Sequence, residues 1–367
     1  MGKAQYFTDS FLDDMRMQMD PLADHAFSVI KEAANASYLR TIIASVHYNH
    51  EKWPEDLPPE AIQYFKQSAR IPEFANLSKM KKGAAVFVKH ADDILSMLGF
   101  ASLPYCYAAS DGARVLDASP RLINEPSKRL LETARFVMDV MDPLAFTPQG
   151  RGIKSIQKVR LMHAAVRYYI LNSGHWQADK WGVPVNQEDM AGTQLAFWYI
   201  PIRSFRKIGI SLSREETDDF RHLWSVVGRM LGVEERLLPD SAKESYQLLT
   251  IISRRTIKAS DHGKALTRSL IDHFKDTPVK GPFEKITEPY MRYLLGDEVA
   301  DAIGLKKEKF TKVFLKPLAG LRGVQNLMGS GNKFYRMRNL LGSQIRKKIG
   351  IQHHQYAMPQ GLGQKPN

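Results

Sequence analysis

Helix-start signals followed by apolar residues at three- and four-residue spacing constrain this chain most. Ser213-Arg-Glu-Glu216 has the form of a capping box, in which a hydroxyl and a carboxylate satisfy free amides at a helix start. Behind it, Phe220, Leu223, Trp224, Val227 and Leu231 share one helical face, and Gly232 supplies a stop. Ser241-x-x-Glu244 repeats the device ahead of Tyr246, Leu249 and Ile252. Asn186 can cap a helix through Met190 and Phe197 to an expected break at Pro201. Asn124-Glu125-Pro126 opens another, carried by Leu130, Ala134, Val137 and Met138 and closed by Asp142-Pro143. Residues 86–98 read as an apolar helix ending at Gly99, and Val159–Leu171 is apolar on most faces, as an internal helix should be. Alternating β-branched runs with hairpin turns are not evident, nor are repeats. The expected fold is all-α: one large helical bundle-like domain over residues 1–350, with 1–75 as a helical portion packed on the rest and 351–367 as a flexible tail.

Composition excludes several classes. At 44% hydrophobic and 25% charged residues, the chain is that of an ordinary globular protein. A single cysteine, Cys106, rules out an internal disulfide framework, and no CxxCH segment is present to tether a c-type haem. The first twenty residues lack an apolar signal core, and no apolar run reaches the roughly twenty residues a membrane span needs. The expectation is therefore a cytoplasmic protein. Its net charge of +13 is uneven: between Lys306 and Lys348 twelve basic residues face one acid, Glu308. Such a segment could lie on an anionic membrane as a peripheral contact, or simply form a solvated surface. No recognised nucleic-acid module accompanies it, so nucleic acid is not the expected partner. Glycine spacings for nucleophile elbows, phosphate loops or dinucleotide folds are also missing.

Candidate chemistry centres on Val159-Arg-Leu-Met-His163-Ala-Ala-Val-Arg167. His163 and Arg167 lie one turn apart on one helix face, set among Val159, Val166 and Ile170. A neutral imidazole in an apolar wall can ligate iron, and an arginine one turn away could neutralise an anionic cofactor group. On spacing alone a histidine on an apolar helix is more often a hydrogen-bonded core residue. Arg129 and Thr133 repeat the four-residue geometry; taken alone, a solvent-facing arginine and a threonine bonded to its own helix explain them better. His47-x-x-His50-Glu51 lacks a third placed metal ligand, and Cys106 lacks the surroundings of a thiolate ligand.

Arg129-x-x-x-Thr133 followed by His163-x-x-x-Arg167 resembles the core of the latex-clearing protein (rubber oxygenase) family, which also includes an endoplasmic-reticulum-bound oxygenase of mycophenolic acid biosynthesis. Asp20-Pro-Leu-Ala-Asp24, Trp181-Gly-Val-Pro-Val-Asn186, Gly209-Ile-Ser-Leu-Ser213 and His222-Leu-Trp224 extend the likeness over most of residues 10–275. The resemblance implies haem b in the helical core, with His163 as the iron's proximal ligand and Arg167, Arg129 and Thr133 around the cofactor. It implies dioxygen as co-substrate and an unsaturated isoprenoid or lipid as substrate. Two positions depart from the family pattern. Glu132 stands where latex-clearing proteins carry a lysine that can cap the iron, and the family's upstream catalytic glutamate has Asp111, then Asp117, as its nearest counterparts. A haem-binding or gas-sensing protein without oxygenase turnover is the alternative those departures raise.

Overall fold

The computed structural model describes residues 2–33, 43–118, 126–275 and 283–308, the side chains of 126–129, 275 and 283–285 excepted. Among these residues the regular structure is helical, with one isolated β-bridge joining Ala109 and Ile257. The helices used below are α1 (Asp9–Arg16), α2 (Pro21–Ala33), α3 (Pro59–Ser68), α4 (Leu77–Met97), α5 (Leu103–Ala108), α6 (Ser110–Asp117) and α7 (Pro126–Met141). They continue with α8 (Gly152–Leu171), α9 (Gln187–Lys207), α10 (Arg214–Met230), α11 (Ala242–Thr256), α12 (Asp261–Lys275), α13 (Phe283–Leu295) and α14 (Asp297–Ala302).

The caps form as the sequence implies. The Ser213 hydroxyl accepts from Glu216 N at 3.0 Å while Glu216 accepts from Ser213 N at 2.8 Å, completing the box at α10. Ser241 caps α11, but Glu244 reaches back to Asp240 N at 2.8 Å instead of to the cap itself. Asn186 accepts from Asp189 N at 2.9 Å at the start of α9.

Two expected stops fail. α9 runs through Pro201 to Lys207: the ring removes one backbone donor, yet Pro201 is buried with Ile200 and Ile202, and that packing carries the helix past the gap. Gly99 ends nothing, because α4 starts earlier, at an Asn76 cap, and passes into a π-helical turn over Leu98–Ser102 that leads to α5. The stretch that carries Asp111 and Asp117 is helix α6, with Asp111 in its first turn where a carboxylate suits the free amides.

One contiguous hydrophobic core draws on helices from α1 to α14. At its centre α4 and α10 pack closely, and the reason is visible at Gly83, where a Cβ would lie 2.5 Å from the Asp219 carbonyl oxygen. The N-terminal helices are part of this body, α2 packing on both α3 and α8. Only Lys306, Lys307 and Glu308 of the basic 306–348 segment are described; the rest of it, the 351–367 tail and His353-His354 lie outside the described residues. Among the described residues no helix is long and apolar enough to cross a membrane.

Candidate active site

α8 is buried over most of its length, several polar and charged side chains included, and is held in place at both ends of its His163 turn. Arg160, three residues before His163, forms a two-pronged pair with Asp20, at 2.6 and 2.8 Å. Arg167, four residues after, donates from Nε to Asp24 at 2.6 Å. The same aspartates organise the start of α2: Asp24 accepts from Asp20 N at 3.1 Å, and Asp20 accepts weakly from Ala23 N at 3.4 Å. The Asp20-Pro-Leu-Ala-Asp24 motif thus caps one helix and clamps another. Gly232 completes the clamp at φ 95°, where a Cβ would strike the Asp20 carboxylate at 2.5 Å.

Between these anchors His163 faces a cavity of about 320 Å³, within the range of small-molecule sites. Val159, Met162 and Val166 of α8 flank the imidazole, Glu132, Thr133 and Phe136 of α7 stand beside them, and α5, α6, α9, α10 and α11 close the remaining walls. The surface is mainly apolar. Among the described lining side chains the charged ones are Glu132 and Asp189, with no lysine or arginine. The buried polar atoms Gln194 Oε1 and Trp224 Nε1, both of lining residues, have no hydrogen-bond partner among the described residues. Such atoms mark places where a bound molecule or water completes the hydrogen bonding.

Of the residues singled out from sequence, the structure brings His163, Thr133 and Glu132 to one cavity. Arg129 belongs to α7, but its side chain lies outside the description. Arg167 does not line the cavity. Its guanidinium donates from Nε to Asp24 and from Nη1 to the Val185 carbonyl at 3.2 Å, while the buried Nη2 has no hydrogen-bond partner among the described residues. Asp111 is also engaged elsewhere, accepting from Arg16 at 2.7 Å, and Asp117 pairs with the His262 ring. Neither aspartate lines the cavity. His50 bonds the Pro148 carbonyl at 2.9 Å and Glu51 accepts from the amides of His47 and Tyr48, which makes that motif a turn and not a metal centre. Cys106 does line the cavity; burial, only partly offset by a Thr193 hydrogen bond, pushes its thiol up to about 12, which keeps it neutral.

Residues 90–324, more than half of the chain, match the sequence family described as ER-bound oxygenase mpaB/B'/Rubber oxygenase, catalytic domain. The chain belongs to this family. It is 26% identical over 305 residues to a rubber oxygenase of Streptomyces sp. (strain K30), an alignment spanning 79% of this chain and 71% of that protein. The fold is similar to that of latex clearing protein LCP in the closed state, with a TM-score of 0.74 at 21% identity, covering 88% of this chain and 91% of the other. The structural likeness therefore takes in more of the chain than the family match, which begins at residue 90, after the α2 clamp.

Within this family member, a cavity carboxylate that sequence reasoning did not single out lies on α9. Asp189 lines the cavity one turn inside the Asn186 cap. Its burial, opposed by Arg16 and reinforced by Glu188 and Asp111, pushes it up to about 7. The Glu188-Asp189 doublet behind Asn186 was the available sequence signal, but acids in a first helical turn are common enough to pass for simple dipole partners. Val185, which also lines the cavity, carries the strain: its φ of 52° is left-handed, a conformation unusual for a β-branched residue.

Proposed function

We propose that this family member is a haem b-dependent oxygenase that uses dioxygen on an unsaturated isoprenoid or lipid-like substrate. The observation that carries the reading is the placement of one imidazole, His163, on the wall of a large and mainly apolar cavity. Among the described residues no group of three or more histidine, cysteine or acidic side chains is arranged to hold a bare metal ion. A haem needs no such group, because its macrocycle supplies the equatorial nitrogens and the protein owes only an axial ligand and an apolar envelope. The donor set present fits that requirement.

When bound, the haem would supply an iron that takes up dioxygen for transfer to a carbon–carbon double bond. The protein's own share follows from its side chains. His163 would ligate the iron, while Val159, Met162, Val166 and Phe136 exclude water and give the chain of an unsaturated substrate an apolar bed. Thr133 offers a hydroxyl beside the imidazole wall, and Glu132 brings a carboxylate where the family resemblance places a lysine. Arg129 is assigned to the cofactor's edge, a role the resemblance gives it. The basic 306–348 segment is proposed to rest on an anionic membrane surface, from which an apolar substrate could reach the site.

The test is optical and then catalytic. The purified protein should show a Soret band that His163→Ala abolishes or greatly weakens, and it should consume oxygen with unsaturated isoprenoid or lipid substrates. A colourless protein that takes up no added haemin would overturn the haem assignment. Haem binding without oxygen consumption on any such substrate would overturn the oxygenase assignment and leave a sensor.

A further inference from the structure

The cavity has a second chemical feature besides His163, a buried polar corner where α9 meets α5 and α6. Asp189 and Thr193 lie one turn apart on α9, the Cys106 thiol hydrogen-bonds Thr193, and Gly112 of α6 faces the Asp189 carboxyl. Asn186 Nδ2 donates to Asp189 Oδ2 at 2.9 Å. Oδ1 accepts no hydrogen bond from the described residues and lies 3.9 Å from the point where a Cβ on Gly112 would stand. The absence of a side chain at Gly112 keeps that edge of the carboxyl open.

The cations near this corner serve other carboxylates. Arg16 of α1 donates to Asp111 at 2.7 Å, to the Trp181 carbonyl at 2.9 Å and to Glu188 at 3.3 Å. Arg255 of α11 donates to Glu188 at 2.7 Å and also binds Asp9 and Asp13. Around Asp189 there remain two like charges, Glu188 and Asp111, one shared Arg16, and a Cys106 thiol that burial keeps neutral. The balance moves Asp189 up to about 7, so near neutrality it exists both as a hydrogen-bond donor and as an anion.

We infer that the open edge of Asp189 anchors the polar end of the substrate and selects unsaturated chains ending in a neutral hydroxyl over chains ending in a carboxylate or phosphate. A hydroxyl complements either state of the carboxyl, because it can accept from the acid and donate to the anion. An anionic chain end can only accept, and it meets a like charge when the carboxyl ionises. This inference rests on reading the cavity as the site of an unsaturated chain, and it narrows that reading to one class of chain end.

Equilibrium binding to the purified protein as isolated tests it, with geraniol and geranic acid as probes and calorimetry as the readout. Geranic acid is ionised at both about pH 6 and about pH 8, so a change in its affinity between them reports on the protein. The expected result is a geraniol Kd constant within about twofold and a geranate Kd that weakens by about tenfold as pH rises through the range where Asp189 ionises. Asp189→Asn should remove the pH dependence of geranate binding. Gly112→Ala, which keeps the carboxyl but sets a methyl against its open edge, should weaken both ligands several-fold. Geranate binding as tightly as geraniol at the higher pH, a full pH dependence surviving in Asp189→Asn, unchanged binding in Gly112→Ala, or no binding of either probe would each overturn the anchor. The binding pattern in a protein that takes up no added haemin would sink the haem assignment alone, and a haem-loaded protein without the pattern would sink the anchor alone.

Discussion

Arg167→Met removes a guanidinium that is 3% exposed and ties α8 both to α2 and to the loop that enters α9. The methionine keeps most of the aliphatic stem, so little of the expected loss comes from an empty volume. What goes is the pair with Asp24 at 2.6 Å and the donation to the Val185 carbonyl at 3.2 Å. Breaking a buried ion pair from one side costs about 3–5 kcal/mol when the remaining charge is trapped. Asp24 is 22% exposed and its stranded carboxylate stays partly hydrated, so the expected loss for Arg167→Met is about 2–3 kcal/mol. Asp24→Asn strands the more deeply buried partner and should cost about 3–5 kcal/mol. The double variant should fall short of the sum by roughly 1.5–3 kcal/mol, because the second substitution removes a charge already left alone. Urea unfolding of the four proteins, followed by far-ultraviolet circular dichroism, measures these values provided the slope with denaturant is unchanged. Soret absorbance recorded on the same samples separates the clamp from cofactor binding. A Soret loss in Arg167→Met with less than about 0.5 kcal/mol of destabilisation, and additive effects in the double variant, would refute the clamp. The guanidinium would then belong to an anionic group of the cofactor.

Two further outcomes follow from buried groups elsewhere in the fold. Lys158 is 4% exposed and donates to the Val46 carbonyl; burial, with Arg135 nearby, drives its ammonium down to about 7. An unfolded lysine titrates near 10.4, so between these values the unfolded chain binds more protons and the Lys158 contribution makes stability rise with pH over that window. Lys158→Met should flatten the rise and stabilise the protein by about 1–3 kcal/mol at neutral pH, once the lost bond to Val46 is counted; an unchanged pH slope in urea titrations would contradict this. Gly83→Ala would put a Cβ 2.5 Å from the Asp219 carbonyl and 3.0 Å from the Leu223 Cβ. Forcing α4 and α10 apart should cost about 2–3 kcal/mol, and a calorimetric melting temperature equal to that of the parent would show that the two helices can separate freely.

The helical body was readable because its start signals are local. Ser213, Ser241 and Asn186 sit within three residues of the amides they satisfy, so sequence spacing nearly determines the bond. Stop signals proved less local. Pro201 withholds one backbone donor but gains the packing of its ring in the core, and Gly99 is absorbed into a π-helical turn between two helices. In each case the neighbours decide whether a backbone defect ends a helix, and those neighbours come from distant parts of the chain.

The same distinction divides the candidate site. Helical spacing put Thr133 on α7 and His163 on an apolar face of α8, the family resemblance singled out Glu132, and all three line the cavity. Spacing also put Arg167 on the face of His163, but a shared face fixes where a side chain leaves the backbone and not where a long one ends. Arg167 ends at Asp24, whose place 143 positions earlier no local pattern announces. The two candidate acids show the consequence for chemistry. Asp111 and Asp189 are both aspartates in the first turn of a helix, and both lie near Arg16. Arg16 donates directly to Asp111, while the open edge of Asp189 is left to the cavity. An acid becomes available for a ligand or a proton when the local cations are committed elsewhere. That allocation is a property of the packed structure, so Asp189 could be told from Asp111 only after the guanidinium had been followed to its partners.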